Sequence, residues 1–387
     1  MKTTTLTLII AASSQLHAGL IPMAEHVDIR WRWETSGVWT CQAVTKSNGD
    51  VAHETPDVSF PLSDKPYIAG NPANSGARLT QPVSAAFAFT GVPVGQPLWT
   101  AVQGTPGIGE SWPGLENNQN DGTFGSYIPS DFRVSQTTAR PWIKISLDGY
   151  TPPAGMVSHF SLWTTSTGSP PKVWMSTYDT GVVNDYYYAE ATHTHMNWGF
   201  SKPGIHRVRI KASAFIGPGQ TNPTGFSAVH SLTFAIGPFA QWQASHFTAS
   251  ELDASAISGP EADPDHDGMK NLVEFAFGFD PKNGAAVPVS TGLGLPKLSL
   301  IEESGTFYEV LEYPRRRAAA QLAPLLYLPQ FSSDLNWQTN TITTTTTDFP
   351  AEMNELNALW EKASSRRPAG PARPARGFGR VAVGFGE

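Results

Sequence analysis

The stretch after the turn at Ser201–Gly204, Ile205–Ala212, reads IHRVRIKA and alternates between apolar and polar side chains, and no other feature limits the fold so tightly. Successive side chains of an extended strand point to opposite faces. Val208, Ile210 and Ala212 therefore share one face, expected to meet a core, while Arg207, Arg209 and Lys211 share the other, expected to meet water. Similar short runs recur from Gly19 to about Gly237. In HVDIRWRW, Val27, Ile29, Trp31 and Trp33 lie opposite His26, Asp28, Arg30 and Arg32. Trp39–Val44 can return antiparallel through a turn at Thr35–Gly37. Ala85–Thr90, Trp142–Leu147, His159–Trp163, Val173–Tyr178 and Val229–Ile236 are further strand candidates. With 35 Gly, 32 Pro and only 15% charged residues, the chain suits short strands joined by turns rather than long helices. The expected fold is mainly β: an N-terminal antiparallel β-sandwich, a short calcium-loop and helix segment, and a small C-terminal β domain.

Just before the alternating strand, Thr192–Phe200 reads THTHMNWGF, and the turn Ser201–Gly204 predicts a hairpin between the two. If the segment is extended, His193, His195 and Asn197 share a face. Two imidazoles at i and i+2 aim two nitrogens at one point, an arrangement used for zinc or copper. A third ligand must come from another strand. His26, on the same polar face as Asp28, is the expected source. The alternative is that these histidines are structural. His230 shares a face with Leu232, Phe234 and Ile236, so it either belongs to the core or supports a ligand, and His159 is ambiguous.

Gly104–Pro129 reads as a long loop whose Trp112 and Tyr127 either line a ligand groove or pin the loop to the sandwich. Together with Trp163 they are the candidate rings for a carbohydrate or adhesion function. Catalytic signatures are lacking: there is no HExxH, GxSxG or GxxxxGK. The acid pairs Asp179/Asp185 and Glu110/Glu116 read as solvated loop residues. The expectation is a non-enzymatic protein, with a copper or zinc enzyme on the same histidines as the alternative. A formal charge of −7 and a pI near 5.8 argue against a nucleic-acid partner. A cell-envelope component or surface ligand remains as the expected partner class.

Met1–Ala18 has a basic start, an apolar stretch and a cleavage-like Leu16–Ala18, the pattern of a secretory signal peptide. No later segment is long and apolar enough to span a bilayer. Cys41, the one cysteine, excludes an internal disulfide and is expected to be a buried, inert thiol.

The β pattern stops near Gly237. Residues 19–238 are assigned to the sandwich, 239–260 to a linker, 261–282 to a calcium-binding loop and helix, and 283–349 to the C-terminal β module. Within that module Ser299–Tyr313 and Leu325–Trp337 are the predicted strands. Residues 350–387 are a tail in which basic, Pro-rich Ser364–Arg376 is expected to be disordered and Phe378–Phe385 to regain a strand.

Asp263–Glu274, DPDHDGMKNLVE, has Asp at loop positions one, three and five, Gly at six and Glu at twelve. A hard cation needs six to eight oxygens at about 2.3–2.6 Å. Asp263, Asp265 and Asp267 would curl around it, Gly268 would permit the bend, and the Met269 carbonyl would add a ligand. Asn271 would reach the ion through water, and Glu274 would close the site from the following helix.

The opening His26–Ile29, the downstream HTHMNWGFSKPGIHRVRIKASA and the strand SLTFAIG together resemble the bacterial surface-anchored protein domain, also called the choice-of-anchor M domain. Its motif has the form HxHxxWxFxxxGxYxxxxxA. The resemblance covers Gly19–Gly237 in layout and is specific at the two ends. It implies a secreted β-sandwich displayed at a cell surface, in a family associated with metal-type uptake systems. His206 departs from the motif by replacing its aromatic residue, and the C-terminus carries no anchoring motif. DPDHDGMKNLVEFAFGFDP with the β segments that follow is similar to the calcium-loop endings of secreted proteins of planctomycete and verrucomicrobial type.

Overall fold

The computed structural model describes residues 19–47, 49–81, 85–134, 137–217, 225–284, 294–317, 325–332, 342–343, 360–372, 374 and 377–385. The expected signal peptide at Met1–Ala18 lies outside them, as do residues 333–337 of a predicted strand. The first strands are β1 (Ile21–Pro22), β2 (His26–Trp33), β3 (Trp39–Thr45), β4 (Val51–Glu54), β5 (Val58–Leu62) and β6 (Arg78–Thr80). Next come β7 (Pro97–Ala101), β8 (Trp112–Glu116), β9 (Trp142–Thr151), β10 (Phe160–Thr164), β11 (Lys172–Ser176) and β12 (Asp185–Ala189). The N-terminal unit ends with β13 (His193–His195), β14 (Asn197–Phe200), β15 (Gly204–Ala214), β16 (Gly225–Phe226) and β17 (His230–Ile236). Four helices follow: α1 (Pro238–His246), α2 (Ala249–Leu252), α3 (Ser255–Ser258) and α4 (Asn271–Phe277). The C-terminal strands are β18 (Lys297–Glu303), β19 (Thr306–Arg316), β20 (Leu325–Ser332), β21 (Ile342–Thr343), β22 (Trp360–Gly370) and β23 (Phe378–Phe385).

Three sheets build the N-terminal unit: β1-β5-β17-β15-β9-β12 with β16 on β15, β11-β10-β14-β7-β6, and β13-β8-β2-β3-β4. They close on one core in which Val27, Ile29 and Trp31 meet Phe160 and Leu162, Val208, Ile210 and Ala212, and Phe234 and Ile236. The C-terminal unit pairs β18-β19-β22 with β21-β20-β23 over Phe277, Leu311, Tyr313 and Phe331. The chain is thus mainly β, a sandwich followed by a small second β domain.

Several local expectations change. Ala85–Thr90 is a 3-10 turn, with only Phe89 and Thr90 buried. The segments flanking Ser201–Gly204 do not pair as a hairpin: β14 joins β10 and β7, whereas β15 lies between β17 and β9. Arg207 is buried rather than solvated because the helices after Gly237 cover that part of β15; its guanidinium donates to Asp253 Oδ1 (2.9 Å), Thr233 Oγ1 and the Ala249 carbonyl. Residues 239–260 are accordingly not a free linker. Ala240, Ala244, Phe247 and Leu252 pack with Leu20 and Ala235, and a Thr248–Glu251 capping box starts α2. Ser364–Gly370, expected to be disordered, lies in β22 along β19, where Arg366 donates to Glu303 of β18 and Arg367 to Glu309 of β19. Its charge is matched by a partner distant in sequence.

Candidate metal centre

The middle of the expected Gly104–Pro129 loop is a strand. β8 runs parallel to β2 on one side and antiparallel to β13 on the other. That register lines up three rows: Trp112 with His26; His195, Gly114 and Asp28; and His193, Glu116 and Arg30. Adjacent strands are about 4.8 Å apart, so β13 and β2 stand roughly 10 Å apart. Any side chain on the intervening strand would fill the space between them. Gly114 leaves it open: a Cβ there would lie 2.3 Å from Asp28 Oδ1, 3.0 Å from the Thr194 carbonyl and 3.1 Å from His195 Cε1.

Three imidazoles converge in that gap. Nε2 of His193 and His195 are 2.9 Å apart, His195 and His26 3.1 Å, and His26 and His193 3.3 Å. Asp28 Oδ1 is 3.6 Å from His26 Nε2 and 3.5 Å from His193 Nε2. Three ring nitrogens at the corners of one triangle cannot all satisfy one another as donors and acceptors. Lone pairs directed at a common cation would fit the arrangement, because zinc–nitrogen bonds of 2.0–2.1 Å in a tetrahedron set ligand edges of about 3.3–3.4 Å. His26, Asp28, His193 and His195 form a group that could hold a metal ion.

The surroundings prepare these ligands. Burial, then His193 and His26, push the His195 imidazole down to about 4, so it is neutral at pH 7 with a lone pair free to coordinate. The Pro113 backbone works the other way but does not outweigh them, and His195 Nδ1 is buried without a hydrogen-bond partner. Trp112 stacks on His195 with centroids 4.2 Å apart and tilts against His26 at 4.9 Å, which fixes both rings. Asp28 is 1% exposed; burial raises its carboxyl, opposed by His193 and His26, and Oδ1 has no hydrogen-bond donor. Lys46 Nζ stands 3.5 Å from Asp28 Oδ2 and 3.0 Å from Glu116 Oε1. Arg30 donates to Glu116 Oε2 at 2.7 Å. Burial alone would raise Glu116, but Arg30 and Lys46 outweigh it and hold its carboxyl below the ordinary range. Glu116 is therefore a buttress for the site rather than a solvated loop acid. Its expected partner Glu110 is buried elsewhere, accepting from the Ser63 amide.

The remaining histidines stay outside this cluster. His159 packs on Tyr178, and His230 meets Trp31 edge-on at 5.1 Å. His206, fully buried, accepts from Tyr150 Oη at Nδ1 and donates from Nε2 to the Lys202 carbonyl. Asn197, expected to share the face of His193 and His195, accepts from the Gln103 amide instead. The candidate ligand-binding rings are dispersed. Tyr127 lies on Phe215, Trp163 is 4% exposed among Phe87 and Phe89, and Trp112 belongs to the histidine cluster.

A second group, Asp263, Asp265 and Asp267, could also hold a metal ion. The loop curls because Asp263 accepts from the Gly268 amide, Asp265 from Asp267 and Asp267 from Met269. Gly268 has φ of +92°, which suits a residue without Cβ. These bonds leave Asp263 Oδ1 and Asp265 Oδ2 buried without donors. Glu274 is 0% exposed with neither oxygen bonded. Burial, then Asp265, Asp267 and Asp263, drive its carboxyl up to about 8. Asn271, expected to reach the ion through water, donates from Nδ2 to the Ile257 and Gly259 carbonyls, while its Oδ1 is buried without a donor. No family model and no curated protein matches this chain, which leaves the chemistry of the two clusters as the guide to what it does.

Proposed function

We propose that the chain is a non-enzymatic cation-binding protein of the cell exterior, whose N-terminal sandwich holds zinc through His26, His193, His195 and Asp28. The observation carrying this is the convergence of three Nε2 atoms within 3.3 Å of one another beside an unpartnered, buried carboxylate oxygen. Zinc is preferred to copper(II) because three nitrogens in a square plane would put one pair about 4 Å apart, and no pair here is so wide. Four protein donors at near-tetrahedral spacing occupy the coordination shell, which favours a binding or structural role over hydrolysis at an open position. Display at the cell surface rests on the resemblance of the histidine segment to the surface-anchored domain and on the leader-like Met1–Ala18.

Elemental analysis of protein reconstituted with zinc is expected to find one zinc per chain in the wild type and none retained after dialysis in His195→Ala. Asp28→Asn should bind at least about tenfold more weakly, because it weakens a donor while keeping the fold. Zinc should also change the emission of Trp112, which stacks on a ligand. Absence of stoichiometric zinc or copper, with melting unchanged by chelator, would sink the reading.

The acidic loop supports a second cation of a different kind. An all-oxygen donor set suits calcium, and Glu274, buried with both oxygens free, lacks a positive partner among the described residues. Lone extracellular loops of this type bind at about 10⁻⁴–10⁻³ M, which fits a structural role outside the cell.

A further inference from the structure

Resting on the calcium reading, we infer that the ion bound by Asp263, Asp265, Asp267 and Glu274 fastens the small C-terminal β domain to the sandwich. The helix that carries Glu274 is where the two units meet. Glu274 of α4 lies near enough to Asp265, Asp267 and Asp263 for their charges to act on its carboxyl, and Asn271 ties the first turn of α4 to the Ile257 and Gly259 carbonyls at the end of α3. Its apolar side enters a shared cluster. Leu272, Phe275 and Ala276 pack with Leu325, and Phe239 and Trp242 of α1 join from the sandwich side while Tyr327 and Val383 join from the C-terminal strands. Phe275 touches both Phe239 and Trp242.

The C-terminal strands also grip the backbone of α4. Tyr327 Oη donates to the Ala276 carbonyl (2.8 Å), and Arg316 Nε donates to that of Phe275 (2.9 Å) with its guanidinium 3.9 Å from the Phe275 ring. Those carbonyls come free at the end of a helix of only seven residues, too short to persist without its packing. Without a cation, Glu274 is fully buried beside Asp265, Asp267 and Asp263 on the first turn of that helix, and whether it holds a charge or a proton it finds no hydrogen-bond partner there. The cheapest relief is to unwind the turn and expose Glu274, which withdraws Phe275 from α1 and the two carbonyls from the C-terminal strands.

The test is hydrogen exchange on the full chain with zinc kept saturating, comparing no calcium with about 10 mM calcium, alongside calorimetry with calcium chloride. With a dissociation constant of about 10⁻⁴–10⁻³ M, that concentration should raise protection of α4, β19 and β23 by about 10- to 100-fold. Protection of β15 and β17 should stay unchanged. Glu274→Gln and Asp265→Asn should abolish the calcium heat, and the Gln variant, which removes the buried charge, should hold part of the protection without calcium. Calcium heat in the wild type without altered protection of the C-terminal strands overturns the fastening and leaves the calcium reading standing. No heat at all overturns both.

Discussion

Gly114 shows how much can depend on a missing side chain. The residues that converge on the histidine cluster come from β2 and β13, which are not neighbours, and they meet only because the strand between them has a hole. Gly114→Ala would put a methyl carbon 2.3 Å from the Asp28 oxygen. That carboxylate is hemmed in by Lys46 and the sheet, so it cannot give way cheaply. We expect Gly114→Ala to weaken zinc binding by about 10–100-fold while leaving secondary structure intact, as read by competition with a chromophoric chelator. Wild-type affinity in this variant would show that Asp28 is not a ligand. The members of the cluster were legible in the sequence, because strand parity puts His193 with His195 and His26 with Asp28. Gly114 was not, although a glycine between Pro113 and Leu115 hints at a close approach across a strand.

Among the elements, those read from their own alternation were placed well, and those stabilised by distant partners were not. β2, β3, β9, β15 and β17 carry enough apolar residues at period two to declare themselves. β8 contains Pro113 and Gly114, both poor strand formers, and exists because β2 and β13 flank it. β22 is hidden by its Pro and Arg content until its pairing with β19, and the carboxylates of Glu303 and Glu309 that meet its arginines, are known. Arg207 belongs to the same class of omission, since parity gives its face but not the helix that covers it. Replacing it with Met would strand the Ala249 carbonyl and remove the link from β15 to Asp253. The expected loss is about 2–3 kcal/mol in denaturant unfolding. A loss below about 0.5 kcal/mol, typical of exposed positions, would mean the helices after Gly237 do not depend on this contact.

For the molecule as a whole, the two clusters that could hold a metal ion differ in donor chemistry, nitrogen-rich in the sandwich and oxygen-only at its junction with the C-terminal β domain, and on the proposed reading they would take different cations. They share no ligand and lie on different elements. Stabilisation by zinc and by calcium should therefore add within about 0.5 kcal/mol in melts recorded with each ion and with both. A clear departure would reveal coupling through α1, which touches both β17 and α4. Neither cluster is backed by a covalent staple, because Cys41 is free and buried. Bound ions are thus the strongest cross-links available to this chain.

The placement of the histidines also bears on the company the protein keeps. β13 is three residues long and forms one border of its sheet, so its outer backbone groups are open to pairing with any extended segment that drifts past. On the proposed reading, a metal held by His193 and His195 from across β8 would hold that border strand down at two of its three residues. Stripped of metal, the first change would be a loosened seam rather than a collapsed core, and its first visible symptom would be self-association.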